Sequence, residues 1–129
     1  MYLSDFIETA NGKYEMASVF SFGTKMLSRR RALGYVEAKF QDLFDSSDVR
    51  GHEFHYSEII DEASARKIYS PMYRLKKRSH SEERDEGFVS RNAFVSYVHL
   101  HFASAPGLAD QFTDFALQYK EKTIRVKAG

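Results

Sequence analysis

The stretch from Phe94 to Phe102 alternates regularly enough to dictate its own geometry. Phe94, Val98, Leu100 and Phe102 fall on one side with Ser96 among them, and Val95, Tyr97, His99 and His101 fall on the other. Successive side chains of a β-strand point to opposite faces, so this pattern predicts a strand over 93–102. One face is apolar and has to be packed. The Tyr-x-His-x-His face is then left over a rigid floor, where polar chemistry can be built.

The rest of the chain supplies further elements for such a sheet. Leu33–Phe40 alternates in the same way, and the segments at about 14–22, 52–60 and 68–77 read as strands. Pro71 confines the last of these to an edge or makes it irregular. Leu3, Phe6, Ile7 and Ala10 fall at helical spacing, which predicts a helix over 1–10 closed by Asn11-Gly12. Leu108, Ala109, Phe112, Phe115, Ala116 and Tyr119 form the apolar stripe of a helix over 106–121, with Pro106 in its first turn and Lys120 and Lys122 at its negative end. Asp42 to Asp48 reads as a turn, and 79–87 as a charged loop. The expected fold is α/β, a mixed and largely antiparallel sheet flanked by helices, in a single domain over 1–129.

Composition narrows the function. Hydrophobic residues make up 43% and aromatics 15%, enough for a packed core. No apolar run approaches the roughly 18 residues of a spanning helix, and the first residues lack a basic leader. A cytoplasmic protein without membrane partners is expected. Nineteen Lys and Arg against eighteen Asp and Glu give a net charge of +1, so no strong field invites nucleic acid. The basic runs Arg29-Arg30-Arg31 and Lys76-Lys77-Arg78 read as solvated loop ends. There is no cysteine, which excludes disulfides, thiolate metal sites and a cysteine nucleophile within these residues.

Four of the five histidines sit in two motifs, His52 and His55 in RGHEFHYSE and His99 and His101 in SYVHLHF. Satisfied surface or core histidines are one reading. A non-catalytic binding module that uses the His99/His101 face for a small ligand or a metal, the metal with a third ligand and with Glu53 and His55 as further donors, is another. The spacing matches no strong metal motif, so no metal ligands are assigned. No Gly-x-Ser-x-Gly elbow and no Gly-rich phosphate loop occur.

Taken in order, Met1-Tyr2-Leu3, LGYVEA at 33–38, RGHEFHYS at 50–57, Gly87-Phe88 and SYVHLHF at 96–102 resemble one family, from Met1 to about Tyr119. It is the C-terminal glutamine amidotransferase domain of cobyrinic acid a,c-diamide synthase, of the class I Cys-His kind. The resemblance implies the C-terminal part of that α/β domain, with His99 as the catalytic base. In the family a Cys-Gly-Gly motif precedes Met-Tyr-Leu, and this chain begins just after it. A fragment inactive alone as a glutaminase is therefore expected. His55 and Tyr56 are expected to bind substrate in the same pocket. Many class I members carry a Glu two residues after the catalytic His; His101 stands there instead. Glutamine is the implied substrate and a synthetase half the implied partner. That half brings ATP and Mg; no cofactor is implied in this chain. Leu3, Phe6, Val36, Phe40, Phe94 and Phe102 are expected to be left bare by the missing strands. Such exposure favours a homo-oligomer or recapture of the missing half.

Overall fold

A computed structural model describes residues 1–40, Phe44, 48–77 and 82–128, with side chains to Thr123. It is a mixed α/β fold of largely antiparallel sheets and two helices. The first sheet runs in the order β2 (Gly12–Glu15), β1 (Ser4–Thr9), β3 (Phe20–Met26) and β6 (Ser57–Ile59). The second runs β11 (Val98–Leu100), β5 (Val49–His55), β4 (Ala32–Phe40), β7 (Tyr73–Lys77) and β8 (Glu83–Glu86). A ribbon of β9 (Phe88–Ser90) and β10 (Ala93–Val95) lies in sequence between β8 and β11 of the second sheet. Helix α1 spans Glu62–Ile68 and α2 spans Leu108–Ala128.

Several elements differ from expectation. Residues 1–10 form a strand and half a hairpin, not a helix. Asn11-Gly12 serves the turn, with Thr9 paired to Gly12 at its base and Gly12 at φ 134°. The apolar residues that fit a helical spacing gain more as a strand, because β1 is clasped on both sides, antiparallel to β2 and parallel to β3. Phe6 lies over Gly23, where a Cβ would come within 2.2 Å of the ring. The strand expected at 14–22 is divided, since Ser18 takes φ 51° between β2 and β3.

The segment at 52–60 also breaks, at Tyr56, and its halves join different sheets. The first part of 68–77 belongs to the end of α1, and the strand begins only at Tyr73, beyond Pro71. Asp61 caps α1 by accepting the Ser64 amide, which holds its carboxyl below the usual range. The charged stretch expected as a loop contains β8, paired to β7 from Tyr73↔Glu86 to Lys76↔Glu83. Residues 79–81, Arg78 and most of the Asp42–Asp48 turn lie outside the described residues. Phe44, within that turn, is buried.

Two cores result. Val36, Ala38, Phe40, Val49, Tyr73, Leu75, Val98 and Leu108 fill the inner side of the five-stranded sheet. Phe20, Phe22, Ala65 and Phe88 fill the space between the four-stranded sheet and α1. Arg66 of α1 stacks its guanidinium on Phe88 and donates to the carbonyls of Gly87 and Asp85, tying the two halves at the β8–β9 corner. Val36 and Phe40, expected to be bare, are thus buried in the chain's own core. Phe102 remains 47% exposed. The stripe of α2 is engaged only at its start: Leu108 is buried, but Phe112, Phe115 and Tyr119 are 43%, 52% and 57% exposed.

The buried Tyr73 shows how the core accommodates a polar group. Its hydroxyl lies 2.5 Å from Ser96 Oγ, which also accepts the Val98 amide and donates to Glu86. Burial pushes the Tyr73 phenol well above its usual range. Ser96→Ala should strand that hydroxyl and cost about 1–3 kcal/mol, more than Tyr73→Phe, whose loss leaves Ser96 with two partners. Urea unfolding of the two single variants and the double variant measures the difference, and the coupling should be non-additive.

Candidate functional site

β5 decides which histidines can meet. Alternation along Val49–His55 turns Gly51 and Glu53 inward, with both buried, and leaves Arg50, His52 and Phe54 exposed on the outer face. Its neighbours are in register with it. Tyr35 of β4 and His99 of β11 both stand opposite His52, so Tyr35, His52 and His99 form one row across three strands. Within that row His99 Nδ1 lies 3.1 Å from His52 Nε2, and the rings meet edge to face at 4.8 Å between centroids. Both rings are solvent-exposed. Beside the row lie Leu33, Phe54 and Tyr56, all exposed, with Tyr56 edge-on to Phe54 at 5.7 Å.

The inner face is different. Glu53 is 1% exposed and paired with Arg84 of β8 on Oε1, while Oε2 has no hydrogen-bond partner among the described residues. His55 Nδ1 donates to the Ser57 carbonyl at 2.7 Å, because a carbonyl can only accept. This fixes the tautomer and leaves Nε2 with its lone pair. The His55 ring stacks on Tyr97 at 4.1 Å and 10°. The Tyr97 hydroxyl accepts from Ser57, and burial raises its pKa. Glu53, His55, Tyr97, Arg31, Lys77 and Arg84 line a cleft of about 550 Å³.

The expected single pocket is therefore divided between two faces of one strand. His99 and Tyr56 lie on the outer side, and His55 opens into the inner cleft. The break at Ser96-Tyr97 between β10 and β11 explains part of this, since it turns Tyr97 away from His99 and onto His55. His101 begins a 3-10 turn at Phe102–Ser104, with its amide bonded to the Arg50 carbonyl, and its side chain does not join His99. Among the described residues no three His, Asp or Glu side chains converge as a metal ligand set. His52 was visible in its motif, but nothing in sequence spacing discloses a cross-strand register. The Glu53–Arg84 pair was hidden for the same reason.

The arrangement suits proton transfer. A neutral histidine that donates its Nδ1–H keeps a lone pair on Nε2 and can accept a proton there from a group brought to that face.

Comparison with known proteins gives the site a context. Residues 1–107 match the CobB/CobQ-like glutamine amidotransferase domain. The chain is 40% identical over 120 residues to the cobyrinate a,c-diamide synthase of Syntrophotalea carbinolica, covering 89% of this chain and 26% of that protein. It is 34% identical over 124 residues to the same-named enzyme of Leptospira interrogans, covering 92% and 27%. For the Salmonella typhimurium enzyme the figures are 33% over 111 residues, covering 82% and 24%. The chain thus spans about a quarter of the length of the curated relatives it matches.

Gly51 controls the outer row from beneath. A Cβ there would lie 2.8 Å from the His99 carbonyl oxygen and 2.8 Å from Val98 Cγ1. Gly51→Ala should push β11 off β5, cost about 1–3 kcal/mol and separate the two imidazoles. Chemical denaturation gives the first, and loss of the His52–His99 ring contacts in NMR spectra gives the second.

Proposed function

This chain belongs to the CobB/CobQ-like glutamine amidotransferase family, and from that premise we propose that it is the amidotransferase region of a cobyrinate a,c-diamide synthase. The observation that carries the reading is the placement of His99, exposed on a rigid sheet face with Nδ1 within hydrogen-bond distance of His52 Nε2. On this reading His99 Nε2 takes the proton of a thiol, and the thiolate attacks the side-chain amide carbon of glutamine. The proton passes to the departing nitrogen, which leaves as ammonia. Water then cleaves the thioester to release glutamate.

The sequence contains no cysteine, so the thiol would come from protein beyond these 129 residues. These residues alone are then inactive as a glutaminase. ATP and Mg belong, on the same reading, to the remaining length seen in the relatives. There the acetate carboxylates of a cobyrinic acid or a related tetrapyrrole are activated as phosphates, and ammonia displaces the phosphate. Tyr56, beside Phe54 on the outer side, borders the glutamine site. His55 would touch glutamine only from the inner cleft. A cytoplasmic supply of ATP and glutamine fits this chemistry, and no helix is long and apolar enough to cross a membrane among the described residues.

Leu33, Tyr35 and Phe54, exposed by 57%, 75% and 47%, surround the histidine row. This face would meet the thiol-bearing part of the enzyme. In its absence the same face favours self-association.

Two measurements check the reading. In the complete enzyme His99→Ala should abolish glutamine-dependent amidation and leave ammonia-dependent amidation largely intact, because only ammonia production uses the thiol and its base. Loss of both activities would make His99 structural. Sedimentation of the isolated 129 residues at micromolar concentration should show a dimer or larger species, and a clean monomer would remove the support for an interface on the outer face.

A further inference from the structure

A base histidine works only if one tautomer is enforced, with the proton on the nitrogen that faces away from the substrate. In this chain the group at that nitrogen is another histidine. His52 Nε2 lies 3.1 Å from His99 Nδ1. The contact is not an accident of two loose side chains. His52 and His99 are directly opposite in an antiparallel pair, on strands whose spacing is set by Gly51 and the buried Val98 beneath them. On its other side His52 is flanked by β4, where Tyr35 stands opposite in register.

From this geometry we infer that His52 is the positioning residue of the glutaminase centre: neutral His52 Nε2 accepts the Nδ1–H of His99 and holds His99 in the tautomer whose Nε2 can take a thiol proton. The inference rests on the reading of His99 as the base. The reverse arrangement, with His52 Nε2–H donating to His99 Nδ1, would leave the proton on His99 Nε2 and disable it as a base. The two arrangements therefore differ in function as well as in bonding. When His99 Nε2 takes the thiol proton, the ring becomes an imidazolium, and its Nδ1–H bond to His52 becomes charge-assisted and stronger. When the proton passes to the leaving nitrogen, the bond returns to its neutral form. Nothing is consumed, and no group outside the two rings is needed.

His52→Gln and His52→Phe separate positioning from packing. A glutamine amide oxygen can accept the Nδ1–H and a phenyl ring cannot. In the complete enzyme His52→Phe should lower kcat for glutamine hydrolysis on the order of 10²-fold with little change in KM, and His52→Gln should restore most of it. Ammonia-dependent amidation should be unchanged in both. In the isolated chain, nitrogen NMR of His99 should show the Nδ1–H tautomer in the native and His52→Gln forms and a mixture in His52→Phe. Equal losses in the two variants, an undiminished His52→Phe, or a protonated Nε2 on neutral His99 in the native form would each overturn the assignment. His99→Ala run alongside keeps the two questions apart. If that variant still hydrolyses glutamine, the base itself is misassigned. If it is inactive while His52→Phe is not, only the positioning role falls.

Discussion

The pairing of β5 with β4 is the constraint on which the rest of this structure depends. Seven residue pairs, from Ala32↔His55 to Ala38↔Val49, lock the register. With a period of two, that register decides every inward and outward side chain of RGHEFH at once. A slip of one residue would bury His52 and Phe54 and expel Glu53. Burial of Val49 on the inner side, level with Val36 and Ala38 of β4, excludes that slip, because the same slip would turn Val49 to water. The histidine row is thus held in place by apolar packing on the opposite face of the sheet, not by polar contacts of its own.

Much of this was legible along the chain, though unevenly. The strand at β4 was clear because its alternation persists for nine residues and one face is uniformly apolar. The class of fold and the family were legible as well, through SYVHLHF and its companion motif. Residues 1–10 misled because Leu3, Phe6, Ile7 and Ala10 satisfy a helical period by coincidence, and the partner that makes them a strand, β3, lies over ten residues away. The breaks at Ser18, Tyr56 and Ser96-Tyr97 were illegible for a related reason. Each continues an apolar or alternating run in sequence, while the chain changes sheet in space at Tyr56 and at Ser96-Tyr97 and changes strand within one sheet at Ser18. The breaks at Tyr56 and Ser96-Tyr97, more than any residue type, divided the expected single pocket into an outer histidine row and an inner charged cleft.

The polar side chains beneath the sheets follow a consistent rule. Tyr73 meets Ser96, Ser57 meets Tyr97, and Ser4 bonds the Met1 and Phe6 carbonyls. Each is a short-range solution to the cost of removing a hydroxyl from water. Glu53 is handled by an arginine from β8, three places away in the sheet beyond β4 and β7. An ion pair of this kind adds little net stability but makes wrong arrangements expensive, since any fold that parts the two leaves a buried charge alone. It therefore penalises an edge strand β8 that docks out of place.

The crossing at Tyr56 has a consequence for how the molecule comes apart. The chain leaves the five-stranded sheet at His55 and enters the four-stranded sheet at Ser57, and the ring of His55 is bonded back to the Ser57 carbonyl across that single residue. No slack exists there to let one sheet fray while the other stays closed. Opening either sheet at this corner pulls a central strand of the other sheet or its edge neighbour with it. The two cores, though separate in composition, are therefore mechanically coupled. Backbone amides on both sides of Tyr56 belong to one cooperative opening unit, with exchange governed by the more stable sheet and not by the weaker one.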